Sequence, residues 1–302
     1  MELLNIFYHI TGFIWSEVFI DLFPFIMGIW QRFTFILPVV IVACTLQILI
    51  PGVKRKAKIL SYEMWVDVIY AFQSTILYLT AFGAVVTFSS IWLTSKTPVL
   101  FPGISELPFF VRVLIGLWLF DFAVYWRHRF FHEWPFLWPI HVVHHSSRQV
   151  DVLTTARLHF LEVMAGGIIN RWIGARFGVD ADALNMGFMI YLYYNYFIHS
   201  NIKVRFPGFL KYILVSPFMH RWHHAIERQA VNKNYSVVFA WNDWLFGSAI
   251  HPDREPEAYG VKYPKGEEVT ESYIAHQLYP FKVFFHRLKN YFLFKKEPES
   301  VN

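Results

Sequence analysis

The chain has 302 residues, a single cysteine, 55% apolar residues and only 16% charged residues. Soluble globular domains carry about 25% charged residues, so this composition excludes a disordered chain, a disulfide-stabilised scaffold and an ordinary soluble enzyme. The formal net charge of +5 is modest, and its basic clusters lie beside apolar segments. Basic clusters of this kind are typical of the cytoplasmic ends of membrane spans, so we expect a membrane and no nucleic acid as a partner.

The elements predicted along the chain are apolar helices. Residues 3–30 are apolar but interrupted by acids, so we expect them to lie on the membrane or to enter it. Phe33 to Ile50 is an uncharged run, roughly 27 Å long as a helix, which is enough to span a bilayer. Further apolar stretches run from Trp65 to Leu93, from Phe109 to Trp126 and, interrupted by charges, from Leu161 to Ile198.

The basic residues predict the orientation of these spans. The connector over residues 51–63 holds four basic residues against one acid, which places it in the cytoplasm. The next two apolar stretches then form a hairpin that returns the chain to the cytoplasm at Arg127. The chain beyond Lys203 is more polar and basic, again on the cytoplasmic side. We therefore predict an all-α integral membrane protein with about four transmembrane helices and a cytoplasmic helical cap.

Histidines are concentrated in the middle of the chain. Ten of the fourteen lie between residues 128 and 224, and eight of these form three tight clusters. Two histidines spaced by three or four residues lie on one face of a helix, so both imidazoles reach one ion. The clusters are His128 and His132, then His141, His144 and His145, and finally His220, His223 and His224.

Three clusters on one side of the membrane predict a shared metal site. Pro135 and Pro139 disfavour a continuous helix between the first two clusters, so the second cluster is expected to fold back onto the first. The long segment between His145 and His220 is sufficient for a hairpin that returns the third cluster to the same face. Eight imidazoles exceed the needs of one tetrahedral or octahedral ion, so we expect two ions.

The spacing of the histidines does not choose between iron and zinc, since neutral imidazoles bind iron, zinc, copper and nickel. Two irons with open positions would activate O2 for attack on unactivated C–H bonds, for which a membrane lipid is the natural source. A non-catalytic membrane protein with a structural di-zinc site is the alternative. A metal transporter is a third hypothesis, but it requires polar residues in several spans, and Phe33 to Ile50 has almost none.

The histidine clusters resemble those of the fatty acid hydroxylase and sterol desaturase superfamily, which comprises integral-membrane non-haem di-iron enzymes. The superfamily pattern H-x3-H, H-x2-HH, H-x2-HH is matched at all eight positions. The segments from Asp121 to His132 and from Trp241 to Gly247 are also similar to the family's flanking segments. The resemblance extends from about Phe109 to Gly247.

The resemblance implies O2-dependent hydroxylation or desaturation of a fatty acyl, sterol or alkylglycerol lipid, with two iron ions as cofactors and O2 as co-substrate. It also implies a separate electron donor, such as cytochrome b5 or ferredoxin with a reductase. His199 and His159 become further candidate ligands, because each lies in a segment similar to a family motif. The match at His159 is imperfect, since Phe160 stands where the family has proline.

The predicted organisation has three parts. Residues 1–108 form an N-terminal membrane region, residues 109–250 form a fatty acid hydroxylase-like catalytic region, and residues 251–302 form a cytoplasmic C-terminal tail. The histidine motifs are expected on the cytoplasmic side of a multi-pass protein.

Polar residues near the histidines are predicted to support the metal ligands. Asp121 and Tyr125 share a helical face with the first histidine pair. An acid inside an apolar span is usually functional, and metal-bound histidines commonly donate their second N–H to a carboxylate. We therefore expect Asp121 to bond a ligating histidine, with Asp243 and Glu162 as further candidates for this role. A salt bridge between Asp121 and Arg112 is the alternative.

Overall fold

The computed structural model describes residues 34, 37, 38, 40–51, 61–79, 81–263 and 272–294. Within these ranges the chain forms helices and loops, with three isolated β-bridges and no β-strand. The all-α prediction is therefore confirmed for the described residues. The apolar segment 3–30 and the basic cluster within residues 52–60 lie outside them.

The helices of the described part are numbered in chain order. They are α1 (Val40–Leu49), α2 (Tyr62–Leu79), α3 (Ala81–Ser95), α4 (Phe109–Glu133), α5 (Trp138–His145), α6 (Phe160–Arg176), α7 (Ala181–His199), α8 (Leu210–Ile213), α9 (Pro217–His223), α10 (Trp241–Leu245) and α11 (Tyr273–Phe294). Short 3-10 turns occur at Pro102–Glu106, Val152–Ala156 and Arg228–Ala230.

Among the described helices, α4 alone is both long and apolar enough to cross a membrane. The predicted span from Phe33 to Ile50 is only partly described and includes the shorter apolar helix α1. The stretch from Trp65 to Leu93 is divided between α2 and α3. The stretch from Leu161 to Ile198 forms α6 and α7, joined by residues 177–180.

Helix α4 lies at the centre of the fold, where it packs against α5, α6 and α7. The apolar cluster beside it includes Leu117 of α4 and Ile198 of α7, together with buried residues of the segment 215–240. The α4–α7 approach is close at Gly187, where an added Cβ would lie 3.0 Å from the backbone nitrogen of Leu117. Glycine therefore permits the close approach of α4 and α7.

Prolines and a cap determine where the histidine-bearing helices begin and end. Helix α4 ends at Glu133, because Trp134 is extended and precedes Pro135. Helix α5 begins five residues later with Pro139 in its first turn, so the turn predicted between the first two histidine clusters is present. Helix α9 begins after Ser216, whose side chain accepts the backbone N–H of Met219.

Candidate metal centre

Nine histidines converge in two groups within the described part of the chain. All eight predicted histidines and His199 belong to these groups, and the candidate ligand atoms within each group lie within 4.8 Å of one another. The first group is His128, His132, His141, His145 and His223, and the second is His144, His199, His220 and His224.

The two groups share the histidines of α5 and those at the end of α9. Consecutive residues on a helix point about 100° apart, so His144 and His145 face different groups, as do His223 and His224. Helix α4 contributes only to the first group. His199, the last residue of α7, contributes only to the second. Each adjacent pair therefore places one imidazole in each group, so the two groups lie close to each other.

Backbone carbonyls determine the tautomer of several imidazoles. A ring nitrogen that faces a carbonyl oxygen must carry the proton and donate it, which leaves the lone pair on Nε2 for a metal ion. The Nδ1 atoms lie at 2.7 Å from the Tyr235 oxygen for His128, 2.8 Å from the Lys233 oxygen for His223 and 2.8 Å from the Asn195 oxygen for His199.

Within the described part of the chain, several Nε2 atoms in the two groups have no hydrogen-bond partner other than another imidazole. In the first group, the Nε2 atoms of His132, His145 and His223 are buried and have no hydrogen-bond partner among the described residues. In the second group, the Nε2 atom of His220 lies 2.9 Å from that of His199 and 3.2 Å from that of His224. Buried lone pairs crowded in this way are costly without a cation. A set of neutral imidazoles therefore fits two transition-metal ions.

The protonation of the histidines outside the apolar helices agrees with this fit. Burial lowers the pKa of His223 to about 4. Burial, followed by the effect of neighbouring histidines, lowers the pKa values of His145 and His224 well below their usual range. These imidazoles are neutral at pH 7, as metal ligation requires.

Glu162 lies directly behind one imidazole. Its two carboxylate oxygens are 2.9 and 3.0 Å from Nδ1 of His141, and both side chains are buried. The residue lies in the first turn of α6, which packs against α4 and α5. A carboxylate in this position orients the imidazole and raises its basicity toward a metal ion.

Asp121 holds a loop instead of a histidine, which corrects the expectation for its contact. Its carboxylate accepts the backbone N–H groups of Val238 at 2.8 Å and Phe239 at 3.0 Å. The segment 234–240 covers the part of α4 that carries Asp121. The alternative salt bridge is also absent, because Arg112 pairs with Asp180 at 2.8 Å.

Asp243 bonds the same loop directly, and Tyr125 is connected to it through Ser248, whose hydroxyl donates to Asp243 at 2.7 Å. Asp243 accepts the backbone N–H groups of Tyr235 at 2.8 Å and Ser236 at 2.9 Å. The Tyr125 hydroxyl bonds the Ser248 hydroxyl at 2.9 Å. Neither side chain contacts a histidine of the two groups through these bonds. Their connection to the site is indirect, because the carbonyl of Tyr235 faces His128.

His159 lies outside both histidine groups, contrary to its expectation as a ligand. It is the N-cap of α6, and its Nδ1 accepts the backbone N–H of Leu161 at 3.2 Å. Its Nε2 donates to the carbonyl of Gln277 at 3.0 Å. Its Nδ1 therefore caps α6, and its Nε2 joins α6 to α11. The matching motif located a buried histidine, but this residue belongs to neither histidine group.

A buried ion pair supports the second group, and sequence reasoning missed it. The carbonyl of Arg157 lies 3.3 Å from Nδ1 of His144. The Arg157 guanidinium donates to Asp67 at 2.5 Å, with both side chains fully buried. The only sequence signal is that Asp67 is the single charge in its apolar stretch. The backbone carbonyls that orient the histidines leave no signal in the side-chain sequence.

Comparison with known proteins agrees with this geometry. Residues 113–248 match the model of the fatty acid hydroxylase family, and this range contains both histidine groups. No solved structure matches the chain.

Three relatives from different organisms are similar to the chain. Human alkylglycerol monooxygenase is 30% identical over 168 residues, which cover 56% of this chain and 35% of that protein. An ornithine lipid hydroxylase of Rhizobium tropici is 31% identical, covering 50% of this chain and 45% of the relative. A putative Δ7-sterol-C5(6)-desaturase of Arabidopsis thaliana is 24% identical, covering 51% and 53% respectively. The chain thus spans between about a third and about half of the length of these relatives.

Proposed function

We propose that this chain, which belongs to the fatty acid hydroxylase and sterol desaturase superfamily, is a membrane-bound non-haem di-iron enzyme that uses O2 to hydroxylate or desaturate a lipid. The observation that carries the proposal is the convergence of nine histidines in two groups that share α5 and α9. A structural role would need only a closed set of about four ligands per ion. The first group has five imidazoles, and three of them, His132, His145 and His223, line a cavity. Both features favour an open, reactive site.

In this proposal each histidine group holds one iron. When bound, the irons supply the O2 activation that attack on an unactivated C–H bond requires. The protein supplies neutral imidazoles whose tautomers are fixed by carbonyls, and Glu162 orients His141. Most of the ligands are buried, so the surrounding side chains limit the access of bulk water to the imidazoles.

The substrate is proposed to be a lipid of fatty acyl, sterol or alkylglycerol type. The names of the relatives refer to alkylglycerol, ornithine lipid and sterol, each of which has a large hydrocarbon portion. Either reaction takes two electrons from the substrate, whereas full reduction of O2 to the oxidation level of water takes four. The remaining two must come from a separate donor, for which we propose cytochrome b5 or ferredoxin with its reductase.

The proposed location is a membrane crossed several times, with about four spans and the histidine motifs in a cytoplasmic cap. Support comes from α4, which is long and apolar enough to cross a bilayer. Helix α11 adds a second apolar surface, because Ile274, Leu278, Phe281 and Phe285 are exposed along it. This helix contains no acid and several cations, as is typical of a helix lying on an anionic membrane surface.

Metal analysis of the detergent-purified protein, expressed in iron-replete cells, tests the proposal first. We expect two irons per chain, coupled as a pair in the Mössbauer spectrum, and O2-dependent conversion of a lipid when a reductant is supplied. His145→Ala and His224→Ala each remove one nitrogen from a different group and should lower iron content. Stoichiometric zinc that iron cannot displace, with no O2 consumption, would overturn the proposal in favour of a structural di-zinc site.

A further inference from the structure

A cavity of about 500 Å³ opens onto the first histidine group. One wall consists of His132, His145 and His223, whose buried Nε2 atoms lack a hydrogen-bond partner among the described residues. Cavities of roughly 300–1,000 Å³ are typical of small-ligand sites. A ligand held here lies beside the nitrogens to which the proposed function assigns a metal ion.

The described charged residues that line the cavity are all basic. Apart from the histidines, the charged side chains among its described lining residues are Arg228 and Lys262, and no acid is present. Both cations are exposed, whereas His145 and His223 are buried. Most of the remaining lining is apolar and includes the indole of Trp138. The cavity therefore runs from a cationic, solvent-exposed side across an apolar wall to the histidine nitrogens.

We propose that this cavity binds a lipid through an anionic headgroup, a phosphate or carboxylate, which Arg228 and Lys262 recognise. The headgroup would remain at the exposed side, and the hydrocarbon chain would extend along the apolar wall toward the histidines. Arginine and lysine form strong charge-assisted hydrogen bonds with such anions. The inference rests on the proposed function, because it takes the histidine groups as the site of lipid oxidation.

The concave position of the two cations favours a lipid over an acidic electron-carrier protein. A carrier would use cations on a convex or flat surface, where a large partner can approach them. Arg228 and Lys262 instead line the same cavity as the three histidines. An amphiphile matches both the charge at one end of this volume and the apolar wall along it.

A pair of lipids that differ in charge tests the recognition directly. The metal-loaded protein, in a neutral detergent, is first saturated with a fluorescent fatty acid. Oleoyl lysophosphatidate, which is anionic, and monooleoylglycerol, which is neutral, are then compared as competitors that displace this probe. The lysophosphatidate should bind about tenfold more tightly, because only it offers charge-assisted hydrogen bonds. The double variant Arg228→Gln with Lys262→Gln should reduce this preference to about twofold or less, with iron content unchanged. Lys203→Gln, which removes an exposed cation outside the cavity, is the matched control.

Four results would overturn the inference. The first is an absence of preference for the charged lipid, and the second is a preference that survives in the double variant. Displacement by inorganic phosphate as effective as displacement by lysophosphatidate would show a phosphate site without a lipid role. A variant that weakens only the dependence of turnover on the electron donor would assign the cations to carrier docking.

The binding measurement also separates this inference from the proposed function. Charge-selective lipid binding in a protein that shows no O2-dependent turnover would support the cavity and refute the oxidation. Turnover of a neutral lipid, without charge-selective binding, would support the oxidation and refute the headgroup recognition in the cavity.

Discussion

Glu162→Gln and Glu162→Leu separate the charge of this carboxylate from its hydrogen bond to His141. Gln retains an acceptor of nearly the same shape, whereas Leu leaves the buried Nδ1–H of His141 without a partner. A net hydrogen bond to a charged group contributes ~1.5–3 kcal/mol and a neutral one ~1 kcal/mol. Glu162→Gln should therefore cost ~1 kcal/mol of metal binding, which is about fivefold in affinity. Glu162→Leu should lower the affinity roughly 10- to 100-fold.

Competition with a chelator measures these differences. Purified iron-loaded proteins are titrated with the chelator, and the iron retained per chain is determined after removal of the unbound metal. Asp182→Asn is the matched control, because it removes an exposed carboxylate from the first turn of α7 and should leave the titration unchanged. Equal iron retention by the parent protein, Glu162→Gln and Glu162→Leu would refute the assignment of Glu162 to the metal centre.

Three further substitutions test the roles that the structure gives to residues around the centre. Asp121→Asn should lower stability by ~1–3 kcal/mol, since the amide cannot accept at both oxygen positions, and thermal unfolding measures the loss. His159→Ala should retain both irons while losing ~1 kcal/mol of stability through its N-cap, as metal analysis and unfolding together would show. Gly187→Ala should cost ~1–3 kcal/mol because the added Cβ meets the backbone of Leu117. Gly103→Ala, with nothing within 4 Å of its Cβ, is the control for the last change.

Each of these three predictions has a contrary outcome. If Asp121→Asn unfolds at the same temperature as the parent protein but has lost its iron, Asp121 supports the metal ligands and not the stability of the fold. Iron loss from a fully folded His159→Ala protein would make His159 a ligand. Equal unfolding temperatures for the two glycine variants would contradict the close packing of α4 and α7.

The eight clustered histidines were identifiable from the sequence because helical spacing is a local property. Separations of three and four residues place side chains on one face, and a proline between two clusters forces a turn. The partition of His144 and His145 between two groups follows from the same helical geometry. Composition likewise indicated the apolar helices, since their segments are continuous in the chain.

Only the tertiary structure decided which polar residues meet the histidines. Asp121 and Glu162 are both acids beside a motif, yet the packing of α6 brings Glu162 to His141, and the segment 234–240 covers Asp121. His199 and His159 both lie in segments similar to family motifs, but only the end of α7 reaches the centre. Such contacts join residues far apart in sequence, and several involve backbone carbonyls that every residue carries. Side-chain identity cannot encode them, because they depend on where the packed helices place each backbone group.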